Sequence, residues 1–253
     1  MTTKTILITG CSSGFGLETA SHFLDRDWNV IATMRSPDKN ALRSSANLRI
    51  LPLDVTDPAS IEVVVAEAGP IDALVNNAGV GLMSIFEGTP MTVVRSILDT
   101  NLVGAMAVTQ AFLPTLRAQK GVLVNVSSGV TFEPLPLLAT YTASKAALNA
   151  FTECLALELE PQGVRTRLVL PGRSPETPFG SNAQALMRER GVDVPGAYRG
   201  FVEQVMNRRI HGDALVTTAV SVADAVWRAV TDPSCPFRVP AGDDAVARAG
   251  ETA

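Results

Sequence analysis

The chain has 253 residues, 46% hydrophobic and 18% charged, with 21 Lys and Arg against 25 Asp and Glu for a formal net charge of −4. That balance offers no cationic surface for the counterion release that drives nucleic-acid binding, and no uninterrupted apolar run approaches the roughly 20 residues of a spanning helix. Three cysteines without paired spacing (Cys11, Cys154, Cys235) and only two histidines exclude a disulfide framework or a thiolate or imidazole metal cage as expectations.

In chain order, short β-rich runs alternate with longer stretches of helical period, the pattern of a parallel sheet with crossover helices. Strands are predicted over 5–9, 29–34, 48–53, 73–76, 122–127, 164–170 and 237–239. Asp57 before Pro58 reads as a helix N-cap with proline at the first helical position, and Thr89 before Pro90 repeats the device. A helix from about Tyr141 stops at Glu160, before Pro161 and Gly163, and Ser221 with Asp224 forms a capping-box-like start for the last helix. The amino terminus meets a glycine turn directly after Ile6, Leu7 and Ile8, too short a run for a signal-peptide core, so a cytoplasmic protein without a membrane span is expected. No linker, repeat or low-complexity tract divides the chain. The expectation is one α/β domain over 1–253: a Rossmann-like, doubly wound parallel sheet of about seven strands with helices on both faces. Residues 172–214, rich in proline and glycine and placed after a strand that should end at the ligand edge, are a candidate substrate lid; a surface helical hairpin is the plainer reading.

After the first strand comes Thr9-Gly10-Cys11-Ser12-Ser13-Gly14-Phe15-Gly16, leading into an apolar helix. Gly10 allows a sharp turn, Gly14 lets backbone approach a pyrophosphate, and Gly16 permits close helix–strand packing, while the helix N-terminus offers unpaired N–H groups to phosphates. A purely structural strand-to-helix turn would use the same glycines. Tyr141, one of two tyrosines, and Lys145 lie four apart and so share a helical face. There the ammonium would favour the tyrosinate and lower the phenol pKa toward working pH; a snorkelling surface lysine beside a half-buried tyrosine is the plainer account.

The Gly-x-x-x-Gly-x-Gly spacing, Asn76-Asn77-Ala78-Gly79 closing the fourth strand, Asn101, Ser127-Ser128 ending the fifth, Tyr141-Thr142-Ala143-Ser144-Lys145 and Pro171-Gly172 together resemble the short-chain dehydrogenase/reductase family, over nearly the whole chain. The glycine turn is similar to that of hydroxysteroid and retinol dehydrogenases and of bacterial carbonyl reductases. The resemblance implies an oxidoreductase interconverting a ketone and a secondary alcohol. By it, Tyr141 exchanges a proton with the substrate oxygen and Ser128, thirteen residues earlier, hydrogen-bonds that oxygen, with Ser127 its structural neighbour. Lys145 holds the nicotinamide ribose and perturbs Tyr141, and Asn101 supports a proton-relay water. The cofactor contacts it implies are Gly10, Ser12, Ser13, Gly14, Phe15, Gly16, Arg35, Asp54, Val55, Asn77, Ala78, Gly79, Tyr141, Lys145, Pro171 and Gly172, with Asp54 directed at adenine. It also implies a homodimer or homotetramer formed through the two long central helices.

Met34 stands where an NAD-preferring site places a carboxylate for the ribose 2′-hydroxyl, and Arg35 can offer a guanidinium fork to a 2′-phosphate, so NADP(H) is expected over NAD(H). Two departures from the family pattern concern substrate contacts: Phe132-Glu133-Pro134 puts an acid before Tyr141, and Thr177 lies one residue later than usual. Met83, Phe86, Phe132, Leu135, Leu137, Phe179, Met187, Phe201 and Met206 are expected to divide between an apolar substrate wall and ordinary core, which favours a bulky hydrophobic carbonyl substrate. Two other readings stand beside this one. The epimerase or dehydratase branch is disfavoured by turn spacing and length, and a non-catalytic cofactor-sensing or scaffold protein on the same fold is disfavoured by the filled catalytic positions.

Overall fold

The computed structural model describes residues 3–37, 42–211 and 215–251. Seven parallel strands form one sheet in the order β3-β2-β1-β4-β5-β6-β7: β1 Thr5–Thr9, β2 Asn29–Met34, β3 Leu48–Pro52, β4 Ala73–Asn76, β5 Val122–Val126, β6 Arg165–Pro171 and β7 Arg238–Ala241. The helices between them are α1 Gly14–Leu24, α2 Pro58–Ala68, α3 Met91–Leu98, α4 Ala105–Gln119, α5 Ala139–Leu159, α6 Phe179–Glu189, α7 Arg199–His211 and α8 Ala219–Thr231, and α9 Asp243–Glu251 follows β7. This is the Rossmann-like α/β arrangement expected from the sequence. Strand order reverses between β1 and β4, which opens a crevice at their carboxyl ends.

Strand alternation sorts the core into two layers. Ile6, Ile8, Val30, Val75, Val124 and Val169 face Phe23 of α1 and Val222 and Val226 of α8. Leu7, Ile31, Leu74 and Leu123 face Ile61 and Val64 of α2, Phe112 and Leu116 of α4, and Leu155 of α5. Ile6, Leu7 and Ile8 are wholly buried, each such side chain contributing about 1.5–3 kcal/mol. Burial on both faces is why the strands read as near-continuous apolar runs.

α3 and α4 are joined through a π-helical turn over Asp99–Gly104. The resulting run Met91–Gln119, 29 residues with mean hydropathy 1.2 in its most apolar window, is long and apolar enough to cross a membrane by those measures alone. Here Val108, Phe112 and Leu116 are buried in the core layer instead.

Asp57 caps α2 as expected, its carboxylate accepting the Ala59 N–H at 3.0 Å with Pro58 at the first helical position. Two expected starts differ. Pro90, not Thr89, is the N-cap of α3, because the Thr89 hydroxyl turns back to the Ile85 carbonyl at 2.7 Å. Thr218 is the N-cap of α8, with Ser221 its reciprocal partner three residues on and Asp224 uninvolved in the cap. Of the region after β6, residues 212–214 lie outside the described residues; the remainder holds α6, a short 3-10 turn and α7.

Candidate active site

The glycine turn closes at the β1/β4 switch point. The Thr9 hydroxyl accepts the N–H groups of Asn77 (3.0 Å) and Ala78 (2.9 Å), and Asn77 Nδ2 donates to the Thr9 carbonyl at 2.9 Å and the Gly10 carbonyl at 3.2 Å. Gly10 and Gly14 take φ of 76° and 57°, the left-handed region where a Cβ is costly. A Cβ on Gly16 would collide with the Gly10 carbonyl oxygen. Ser13 precedes α1 in extended conformation without capping it through its side chain, and the first turn carries no acid. The leading N–H groups of α1 therefore present a positive end that no acid of its own first turn offsets, and Ser12 beside them is exposed. This cradle fits a dinucleotide pyrophosphate.

Facing it, α5 carries Tyr141 and Lys145, both buried. Lys145 Nζ donates to the Val126 carbonyl at 3.0 Å and lies near Gly79, whose missing side chain leaves room: a Cβ there would be 3.5 Å from Nζ. Burial pulls the Lys145 ammonium down to about 8. Burial also pushes the Tyr141 phenol up to about 12, against a hydrogen bond from Ser128 that acts in the opposite direction. The expected lowering by Lys145 is not what this geometry produces: desolvation is the largest cause and the Ser128 hydrogen bond is what opposes it. Asn101 sits in the π-helical turn, where its amide donates to the Val80 carbonyl at 2.9 Å and Ser144 Oγ at 3.1 Å while its oxygen accepts the Val80 N–H at 2.8 Å. Such turns recur at functional sites because they re-aim a side chain out of register.

Sequence reasoning passed over two groups that hold this arrangement, Asn149 and the Thr9 side chain, and the backbone conformation of a third, Leu137, which it had named only as an apolar side chain. Asn149, one turn beyond Lys145, accepts from Ser127 Oγ at 2.5 Å and donates to Thr131 Oγ1 at 3.1 Å, and Thr131 in turn donates to the Ser128 carbonyl at 2.9 Å. Its signal was available as a polar residue on the Tyr141 and Lys145 face of the helix. Thr9 is the second. The third, Leu137, adopts φ 66°, strained for a leucine, with its carbonyl accepting the Ser84 N–H at 2.8 Å. Nothing in a leucine's identity signals that conformation.

At the far end of the crevice, Arg35 is exposed just beyond β2, whereas Met34 is buried among core side chains. Asp54 makes a local turn, accepting from the Thr56 N–H (2.9 Å) and hydroxyl (2.7 Å). Those bonds, with a smaller contribution from Arg35, hold its carboxyl below the usual range. Val55 is buried against Gly104 of the π-helical turn. Pro171 and Gly172 end β6 beside the crevice. Beyond them, Thr177 lies where a Cβ on Gly14 would touch it at 3.5 Å, and the Phe179 ring would meet a Cβ on Gly81 at 2.7 Å. Glu133 is turned from the crevice toward α9, 3.3 Å from Arg248. Of the expected apolar wall, Leu137 is buried, Phe86, Phe179 and Phe201 are exposed, and Met187 packs on Leu82, Val93 and Ile97.

Residues 4–186 match the sequence model of the short chain dehydrogenases. The chain is 35% identical over 243 residues, 91% of it and 86% of the relative, to an uncharacterized oxidoreductase, YusZ, of Bacillus subtilis. Among solved structures it is similar to a short-chain dehydrogenase from Streptomyces avermitilis, with TM-score 0.83, 30% identity, and 99% and 92% of the two chains covered. A short-chain dehydrogenase from Burkholderia cenocepacia, solved in complex with NADP, matches with TM-score 0.77 and 25% identity over 98% of this chain and 92% of that one.

Proposed function

The chain belongs to the short-chain dehydrogenase family and is an oxidoreductase, and on that premise we propose that it interconverts a bulky hydrophobic ketone and its secondary alcohol with NADP(H). The observation that carries this reading is the buried Ser128–Tyr141–Lys145 cluster facing a glycine cradle that fits a pyrophosphate. When bound, the nicotinamide supplies or accepts the hydride. The chain's own residues do the rest. Ser128 donates a hydrogen bond that orients the carbonyl oxygen, and Tyr141, a phenol kept protonated by burial, delivers the proton that oxygen needs as charge develops on it. Lys145 and Asn101 fix the polar floor under Tyr141, Lys145 through the Val126 carbonyl and Asn101 through Ser144, whose hydroxyl donates to the Tyr141 carbonyl at 2.7 Å.

The region from 172 onward acts as a substrate lid in this reading, supported by Thr177 over the glycine turn and Phe179 against Tyr141. The apolar ring of Phe179, exposed and set against Tyr141, favours a hydrophobic substituent on the carbonyl. Exposed Val103 and Met106 beside α4 and Leu157 on α5 support association into a homodimer or homotetramer through those helices. The test is NADPH oxidation followed at 340 nm with aromatic ketones, ketoesters, a steroid ketone and small charged keto acids. Turnover of the bulky apolar ketones ahead of the keto acids is expected; no turnover of any, despite tight NADPH binding, overturns the reading.

A further inference from the structure

Asp244, in the first turn of α9, is a buried carboxylate far along the chain from the residues discussed above. Its Oδ2 accepts the Arg173 N–H at 2.6 Å, and its Oδ1 accepts the Thr217 hydroxyl at 2.7 Å. Thr217, wholly buried, accepts the Gly172 N–H on its hydroxyl oxygen at 2.9 Å, with the Ala241 carbonyl a second acceptor for its proton at 2.8 Å. The Thr217 N–H donates to the Arg173 carbonyl at 2.8 Å. Arg173 is where the chain leaves β6 for the region over the crevice, and Thr217 is where it returns toward α8. Both stems thus close on one side chain. The approach is tight enough that a Cβ on Gly172 would collide with the Asp244 carboxylate, and one on Gly242, at φ 94°, with the Thr217 hydroxyl.

We propose that Asp244 is a positioning residue that clamps both stems of the segment over the crevice and thereby seats Thr177 on the glycine turn and Phe179 on Tyr141. The proposal rests on the reading of that segment as the lid. A carboxylate suits the task because its two oxygens accept from both stems at once, which an amide can do with only one oxygen. Burial makes the loss felt, since a stem N–H left without its acceptor is costly away from water. The same residue acting merely as an acid at a helix N-terminus would stabilise α9 without touching the lid.

Hydrogen–deuterium exchange of Asp244→Asn and Asp244→Ala, compared with the unmodified protein, separates these roles. Amides of α6 and α7 are expected to exchange at least about tenfold faster in Asp244→Ala and by a smaller factor in Asp244→Asn, with β1, β4 and β5 unchanged. The Kd for NADPH, read by fluorescence, should rise several-fold in the same order, and KM should rise more than kcat falls. Unchanged exchange in α6 and α7, or equal acceleration through the whole sheet, overturns the proposal. Should Asp244→Ala not fold, Thr217→Val, which removes one arm of the clamp, takes its place: faster exchange confined to α6 and α7 supports the clamp, and unchanged or uniform exchange overturns it. The exchange and NADPH measurements remain decisive even if no carbonyl is turned over, so failure of the oxidoreductase reading is told apart from failure of the clamp.

Discussion

The ring of Phe179, the first residue of α6, lies against the ring of Tyr141 in α5, with centroids 5.8 Å apart and planes tilted by 60°. The contact joins the region after β6 to the phenol proposed as the proton donor, and it helps keep that phenol from water. In Phe179→Ala the phenol should become better solvated, so the pKa of Tyr141 moves down from about 12 toward its ordinary value near 10. Titration of the 295 nm tyrosinate absorbance checks this, with Tyr141→Phe as the blank; an unchanged titration would show that Phe179 contributes nothing to the burial. KM for a hydrophobic ketone should rise alongside.

Tyr141→Phe removes the transferable proton and little else, so kcat should fall by at least about a hundredfold while NADPH binding stays near normal. Lys145→Ala should impair both. Steady-state kinetics and fluorescence titration with NADPH distinguish the two variants, and near-normal kcat in Tyr141→Phe would remove the phenol from the mechanism.

Lys145 also gives the fold a pH signature. Its ammonium titrates near 8 when folded and near its ordinary value of 10.5 when unfolded. Between those values the unfolded chain binds more protons, so this group makes stability increase as pH rises through the window; below 8 the folded protein carries the full cost of a buried charge. Over the window the effect approaches about 3 kcal/mol. Tyr141 acts oppositely above pH 10, and the buried Cys11 thiol, raised from 9.0 to about 12, acts oppositely above pH 9, so the lysine's share is read as the difference from Lys145→Met, in which those two groups cancel. In urea titrations across that window, the stability of the unmodified protein should gain on that of Lys145→Met; parallel curves would contradict a depressed lysine.

The proposed preference for NADP(H) turns on Arg35. A guanidinium paired with a 2′-phosphate makes charge-assisted hydrogen bonds that a ribose hydroxyl cannot match. We expect higher kcat/KM with NADPH than with NADH, and a loss of about tenfold or more in that ratio in Arg35→Ala. Equal or better turnover with NADH in the unmodified enzyme would sink the assignment. Because Met34 is buried, a carboxylate at that position would be desolvated as well as repulsive, which makes Arg35 the cleaner place for the test.

The sheet, its strand limits to within one or two residues, the glycine turn and the Tyr141–Lys145 pair were legible in the sequence because each depends on short-range rules. Apolar runs mark strands buried on both faces, positive φ and close approach demand glycine, and four-residue spacing puts two side chains on one helical face. Thr218 as the cap of α8 and Pro90 as the cap of α3 were three and one residues from the expected positions, since Thr218 and Ser221 both offer hydroxyls at the start of α8 and the Thr89 hydroxyl donates to the Ile85 carbonyl. What only the tertiary structure decided was set by groups distant in sequence. Phe179 meets Tyr141 from a helix on the far side of β6, and Asp244 reaches back 71 positions to Arg173. The direction of the Tyr141 pKa belongs to the same class: spacing puts a lysine on the phenol's helical face, but how deeply the phenol is buried, and hence how strongly desolvation raises it, is fixed by the elements that close over it.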